Sequence, residues 1–110
     1  MGDRGQVYVK QAGVYLYTHW AASELDEIVK QALIRGKDRW YDAEYLARII
    51  FNEITKGDEQ GTTGAGICAG HKEQGWHVDA WKRITIDGDK ITIQNHLKTG
   101  INTTLEQFTL

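Results

Sequence analysis

The stretch of residues 83–93 holds four isoleucines, which alternate with polar residues on either side of Asp87-Gly88. Because successive side chains of a strand point to opposite faces, this alternation places all four isoleucines on one face of a β-hairpin. Asp-Gly suits the tight turn between the strands, since glycine accepts the positive φ that such turns require. An apolar face of this kind needs another layer of the protein to cover it.

Two consecutive amphipathic segments are the natural covering layer. The first is predicted to begin at the cap Ser23 and to end at Gly36, because its acidic residues come early and its basic residues come late. The second is predicted to run from the cap Asp42 to about Lys56. Both carry apolar residues at helical spacing, so each has a face for the core.

Alternation and turn residues predict strands at residues 6–10, 14–20, 67–71, 76–81, 83–86 and 90–93. The predicted order is β-β-α-α-β-β-β-β. This order indicates an α+β fold, in which an antiparallel sheet of about five to six strands has two consecutive helices packed on one face. Residues 1–110 are predicted to form a single domain. Thr103 and Glu106 have capping-box spacing and predict a short helical turn in the tail.

Composition narrows the class of protein. The chain is 41% hydrophobic and 25% charged with a formal net charge of −2, which favours a globular domain and argues against nucleic acid as a partner. Cys68 is the only cysteine, so no intrachain disulfide forms. The sequence has neither a membrane-length apolar run nor a signal-peptide core. We therefore expect a cytoplasmic protein that does not associate with membranes.

The first hairpin has an aromatic face away from its valines. Tyr8, Tyr15, Tyr17 and His19 share this face, which the helices are not expected to cover. Exposed tyrosines suit base stacking or a protein contact, and they favour a homo-oligomer. Ordinary cross-strand aromatic pairing explains the same pattern. The sequence leaves these interpretations open.

The end of the second strand and a glycine-rich loop are candidate parts of a binding site. Thr18 and Trp20 lie beside the predicted start of a helix, where an anion is favoured. The loop at residues 61–66 contains Thr62, Thr63 and several glycines, whose N–H groups and hydroxyls suit a phosphate. It lacks the Lys-Ser/Thr ending of a P-loop and precedes a strand, so a plain surface loop also explains it.

Other polar residues have weaker functional interpretations. His77, Asp79 and Cys68 are compatible with a metal site or a thiol nucleophile, but no recognised metal-ligand spacing occurs, so neither a metal nor a cofactor is predicted. Glu53 lies within the apolar arc of the second helix and needs a partner, for which Arg4 is suitable. A structural ion pair and a functional acid both remain possible for Glu53.

Four short motifs resemble those of a group of small, poorly characterised proteins from phages and bacteria. They are GDR at residues 2–4, LYTHW at 16–20, WYDAEYLARIIF at 40–51 and TGAGI at 63–67. The resemblance implies no catalytic residue. Many members have Gly-Gly where this chain has Ala21-Ala22. Small phage proteins often counter host defence, and some sequester nucleotide signals, which makes such a role an expectation by analogy.

The leading hypothesis is a non-catalytic protein that sequesters a small phosphate-bearing, nucleotide-derived ligand, as a counter-defence sponge would. The predicted ligand-binding residues are Arg4, Tyr17, Thr18, His19, Trp20, Arg48, Thr62, Thr63, Gly64 and Gly66. One alternative is a module that inhibits a host protein through its tyrosines. Another is a small hydrolase that uses His19 or His77 with Glu53 or Asp79.

Overall fold

A computed structural model of the chain describes residues 2–69 and 80–110. Within these residues the elements follow the predicted order, and the short helical turn predicted in the tail is present. The elements are β1 (Gly5–Val9), β2 (Val14–Thr18), α1 (Leu25–Arg35), α2 (Ala43–Ile54), β3 (Ala65–Ala69), β4 (Lys82–Asp87), β5 (Lys90–Asn95), β6 (Lys98–Thr104) and α3 (Leu105–Phe108). The α+β class and the placement of two consecutive helices between strand pairs are confirmed.

The described strands form one sheet with the order β3-β2-β1-β4-β5-β6. Neighbouring strands are antiparallel except for β1 and β4, which are parallel. The predicted antiparallel sheet is therefore confirmed in the main, and the parallel pair β1–β4 is an addition that the sequence did not predict. β3 joins the edge of β2, whereas the next described strand, β4, lies on the other side of β1.

One predicted strand lies mainly outside the described residues, and one observed strand was not predicted. The strand expected at residues 76–81 falls mainly on residues 70–79, which lie outside the described part of the chain. β6 was not predicted, because Ile101 is its only large apolar residue and its sequence shows no alternation. It pairs with β5 through backbone hydrogen bonds, with a register shift between Ile93 and Gln94.

The isoleucine hairpin has the predicted arrangement. Ile84 pairs with Ile93 and Ile86 with Ile91, and all four side chains are fully buried. Asp87 pairs with Lys90, which leaves a two-residue turn, and Gly88 has the positive φ of 63° that this turn requires.

The starts of α1 and α3 differ from the predicted caps, whereas Gly36 follows α1 and Asp42 precedes α2 as predicted. α1 begins at Leu25 after a single 3₁₀ turn, and Ser23 does not cap it because its hydroxyl is bonded to Asp3. In the tail, Thr104 rather than Thr103 caps α3, by accepting a hydrogen bond from the Gln107 N–H at 3.1 Å. Among the described residues, no helix is long and apolar enough to cross a membrane.

The core lies between one face of the sheet and the two long helices. Its fully buried side chains include Val7, Leu16, Leu25, Val29, Leu33, Leu46, Ile50, Ile84 and Ile93. Odd residues of β1 and even residues of β2 point into this core, as alternation predicted. The remaining side chains of these strands therefore lie on the opposite side of the sheet, which we call the second face.

Candidate functional site

Three chain segments meet where β2 ends. The Asp3 N–H donates to the His19 carbonyl at 2.7 Å, and the His19 N–H donates to the Gly64 carbonyl at 2.8 Å. The residues before β1, the end of β2 and the glycine-rich loop are thus joined through the backbone of His19. This junction brings together Arg4, Tyr17, His19, Trp20 and Gly64, which we call the Trp20 cluster.

The imidazole of His19 is held by two neighbours. Its Nδ1 lies 2.9 Å from the Tyr17 hydroxyl and accepts a hydrogen bond from Arg4 Nε at 3.4 Å. A guanidinium can only donate, so Nδ1 is the acceptor and a neutral ring carries its proton on Nε2. The ring therefore presents an N–H donor on the side away from Tyr17 and Arg4.

Trp20 is the exposed member of the cluster. Its side chain is 57% exposed, and its ring meets that of His19 edge-on, with 5.2 Å between centroids. The indole rests on Gly64, where a Cβ would lie only 2.3 Å from Trp20 Cζ3. Gly64 has a φ of 96°, so both its conformation and its lack of a side chain are required. The loop thus supports an indole that faces solvent.

A second set of contacts fixes the segment before β1. The Ser23 N–H and hydroxyl donate to Asp3 Oδ2 at 2.8 and 2.5 Å, and Trp81 Nε1 donates to Asp3 Oδ1 at 2.8 Å. The Ser23 hydroxyl is the largest of the influences that lower the pKa of the Asp3 carboxyl. Trp81 stacks on His96 with a centroid distance of 5.4 Å. These contacts hold Arg4 beside His19.

Several predicted site residues lie elsewhere or have structural roles. The Thr18 hydroxyl is buried and accepts a hydrogen bond from the Ala21 N–H at 3.2 Å. Gly66 pairs with Tyr17 within the sheet. Arg48 lines a groove of about 290 Å³ beside Leu16, on the side of the sheet that carries the helices. The groove therefore opens on the opposite side of the sheet from Tyr17.

Thr62 and Thr63 border a different cavity. It has a volume of about 360 Å³ and is also lined by Asp58 and Glu59. Hydrogen bonds from backbone N–H groups lower the pKa of the Glu59 carboxyl, so this residue is ionised near neutral pH. Two carboxylates repel phosphate, and this cavity does not support the predicted role of the threonines.

The aromatic second face is less exposed than predicted. Tyr15 and Tyr17 are 8% and 7% exposed, so a partner protein cannot use them as the broad tyrosine surface that the sequence suggested. The rings of Tyr8 and Tyr15 stack at 4.3 Å with an angle of 14° between their planes. This is the cross-strand aromatic pairing that was one of the two open interpretations.

The prediction that Arg4 is the partner of Glu53 was wrong. Its Oε1 accepts a hydrogen bond from Arg35 Nη2 at 2.9 Å, and Arg4 is instead at the His19 ring. Arg35 lies at the end of α1 and also donates to the Ile49 carbonyl at 3.2 Å, so the pair ties α1 to α2. Glu53 therefore has a structural partner, and the proposed His19–Glu53 acid–base pair is not assembled.

The alternatives based on His77 and Asp79 concern residues outside the described part of the chain. Among residues 2–69 and 80–110, no three His, Cys, Asp or Glu side chains are grouped so that they could hold a metal ion. Cys68 is buried opposite Tyr15 in the β2–β3 register.

The sequence interpretation missed a polar cavity on the second face. Its volume is about 160 Å³, and it is lined by Gln6, Tyr8, Tyr15, Arg83, Ile84, Thr85 and Gln94. Gln6 is only 4% exposed, and its Oε1 has no hydrogen-bond partner. Alternation places Gln6 beside Tyr8 on this face, but the parallel pairing that brings Arg83 opposite Gln6 has no local signal.

Neither a family model, nor a curated protein, nor a solved structure matches this chain.

Proposed function

We propose that this chain is a non-catalytic binding protein that holds a small phosphate-bearing, nucleotide-derived ligand at the Trp20 cluster. The observation that carries the proposal is the exposed indole of Trp20, supported by Gly64 and placed beside Arg4 and His19. Stacking of a base on an aromatic ring contributes about 1–3 kcal/mol. The positive charge of Arg4 and the Nε2–H of His19 suit the phosphate.

The surroundings of His19 favour binding over turnover. General acid–base catalysis requires a second titratable group positioned against the same substrate. The carboxylate at this junction, Asp3, is engaged by Ser23 and Trp81, and the His19 ring is held by Tyr17 and Arg4. These groups are arranged to support one another, so the ligand is expected to leave the site intact.

The proposed biological role is sequestration, as in a phage counter-defence sponge. This part depends on the resemblance of the four short motifs and on no residue beyond them. The role requires a cytoplasmic protein, because nucleotide signals act there and a lone thiol such as Cys68 stays reduced there.

A thermal-shift assay tests the binding function. We expect AMP, or the linear dinucleotide ApA, to raise the Tm by about 5–10 °C at saturating concentration. Trp20→Ala should reduce the affinity at least tenfold, since it removes the stacking platform. Tyr41→Ala is the matched control, because Tyr41 is 88% exposed but belongs to a different surface.

Three outcomes would contradict this proposal. They are the absence of stabilisation by either nucleotide in a folded sample, equal effects of Trp20→Ala and Tyr41→Ala on affinity, and conversion of the nucleotide during long incubation. Chromatography of the recovered nucleotide measures the last of these.

We further propose that the protein is a homo-oligomer, paired through β3, the edge strand of the described sheet, rather than through its tyrosines. The sequence of β3, AGICA, carries no charge, and Ile67 at its centre is 54% exposed. An uncharged edge strand is a template for pairing with another strand. Glu44 and Arg48 border the adjoining apolar groove one helical turn apart, so a two-fold partner can match their opposite charges.

Replacement of Ile67 by lysine tests this interface. Ile67→Lys is expected to convert the oligomer to a monomer in light scattering coupled to size exclusion, because lysine on an edge blocks strand pairing. Leu97→Lys is the control, since Leu97 is 67% exposed and lies far along the chain from β3. A wild-type chain that is monomeric at all concentrations, or an Ile67→Lys variant that keeps the wild-type mass, would overturn the interface.

A further inference from the structure

The polar cavity on the second face has the size and lining of a subsite for one flat ring. Its volume of about 160 Å³ is close to that of an engineered cavity that binds benzene, about 150 Å³. The stacked rings of Tyr8 and Tyr15 form part of its wall, and Thr85 and Gln94 add hydrogen-bonding groups. Tyr8, Thr85 and Gln94 are half-buried, so the cavity communicates with solvent.

Gln6 supplies the strongest indication of a ligand. It lies in β1 between Tyr17 of β2 and Arg83 of β4, and 96% of its surface is covered. Buried polar atoms are nearly always hydrogen-bonded, yet its Oε1 has no partner. An amide oxygen accepts hydrogen bonds and does not donate them. The missing partner is therefore a donor, and a planar molecule with an amino group on its ring edge provides one.

The position of this cavity relates it to the Trp20 cluster. Gln6 follows Arg4 by two residues, and its neighbour Tyr17 precedes His19 by two residues. Two residues of a strand span about 7 Å, and the contacts of His19 with Tyr17 and Arg4 keep both steps near the second face. Arg4 and His19 thus lie one such step beyond Gln6 and Tyr17, and the His19 ring also contacts the exposed indole of Trp20. A cation close to an exposed indole and to a ring-sized cavity suits two bases joined through phosphate.

We infer that the Gln6 cavity is a second base subsite, which binds an amino-bearing nucleobase through Gln6 Oε1, and that the ligand is a dinucleotide. This inference rests on the proposed function, since it assigns the first base to Trp20 and the phosphate to Arg4 and His19. It adds the ligand class and the group that selects the second base. No bond in the ligand is made or broken.

Two variants and three probes test the inference by titration calorimetry. ApA is expected to bind at least tenfold more tightly than AMP, because only ApA fills both subsites. Gln6→Met keeps the length of the side chain and removes the acceptor, and it should bring the affinity for ApA down to that for AMP. The matched control is Gln31→Met on the exposed surface of α1, which should leave both affinities unchanged.

The third probe isolates the hydrogen bond itself. A dinucleotide in which unsubstituted purine replaces both adenines lacks the amino groups and should bind the wild-type chain at least fivefold more weakly than ApA. Gln6→Met should bind these two dinucleotides equally. Its Tm should equal or exceed that of the wild type, because the substitution removes a buried oxygen without a partner.

The outcomes separate this inference from the proposed function. If ApA binds, and Trp20→Ala lowers the affinity for ApA while Gln6→Met does not, the second subsite is overturned. Ligand binding at the Trp20 cluster would then still be supported. Equal affinities for ApA and AMP also overturn the second subsite. A lower Tm for Gln6→Met would show that Gln6 is satisfied within the fold, which overturns its assigned role. If neither nucleotide binds, both proposals fall.

Discussion

Gly64→Ala is expected to lower the free energy of unfolding by about 2 kcal/mol and to weaken nucleotide binding at least tenfold. Gly64 has a φ of 96°, which any residue with a Cβ adopts only under strain. The new Cβ would also lie 2.3 Å from Trp20 Cζ3 and 2.8 Å from Cε3. Because the indole is exposed, it can move away, but it then loses the support that orients it. Stability and affinity therefore fall together.

Gly57→Ala is the matched control for the backbone strain. Gly57 has a φ of 87°, and a Cβ there has no heavy atom within 4 Å. We expect Gly57→Ala to lower the free energy of unfolding, measured by urea denaturation, by about 1 kcal/mol and to leave the affinity for nucleotide unchanged. Equal losses of stability and affinity in the two variants would show that contact with Trp20 plays no part.

Asp26→Ala is expected to lower the free energy of unfolding by about 2–3 kcal/mol. The Lys82 side chain is 7% exposed, and its Nζ lies 2.7 Å from Asp26 Oδ1. Removal of the carboxylate leaves an ammonium group in a site from which water is largely excluded. The expected loss is below the usual range for buried pairs because Asp26 itself is 42% exposed, so some water reaches the lysine.

Two lysine variants check this account of the buried pair by urea denaturation. Lys82→Met removes the buried charge, and the exposed Asp26 stays hydrated, so we expect a change within about 1 kcal/mol of the wild type. Lys10→Met breaks the exposed pair with Asp87, whose side chains are 56% and 50% exposed, and should change stability by less than about 0.5 kcal/mol. An Asp26→Ala variant as stable as Lys10→Met would refute the role of the pair.

The local patterns predicted the elements well where one face is apolar. Four isoleucines around a turn determine their own register, because a shift by one residue would expose all of them. β6 escaped prediction since its pairing depends on backbone groups, which every sequence possesses. Ser23 was misassigned as a cap because Asp3, 20 residues earlier in the chain, competes for its hydroxyl.

The candidate site was predicted only in part. Tyr17, His19 and Trp20 are close in sequence, and the sequence predicted that they share a site with Arg4 and the loop of Gly64. The structure places these five residues together. Arg48 belongs to one of the four motifs but is not part of the Trp20 cluster. It lies on α2, which covers the other side of the sheet. Helical spacing shows which residues share a helix face, but it cannot show which sheet face that helix covers.

The sequence by itself determined the periodicity of β1, β2, β4, β5 and the two long helices, the order of these elements, and the division of β1 and β2 into a core face and a second face. These follow from local geometry, because side-chain direction repeats every two residues in a strand and every 3.6 in a helix. Only the tertiary structure decided that β4 lies parallel to β1, that Arg35 rather than Arg4 holds Glu53, and that Gln6 lines a cavity with an unpartnered oxygen. Each of these depends on contacts between residues distant in the chain, for which the intervening sequence carries no period.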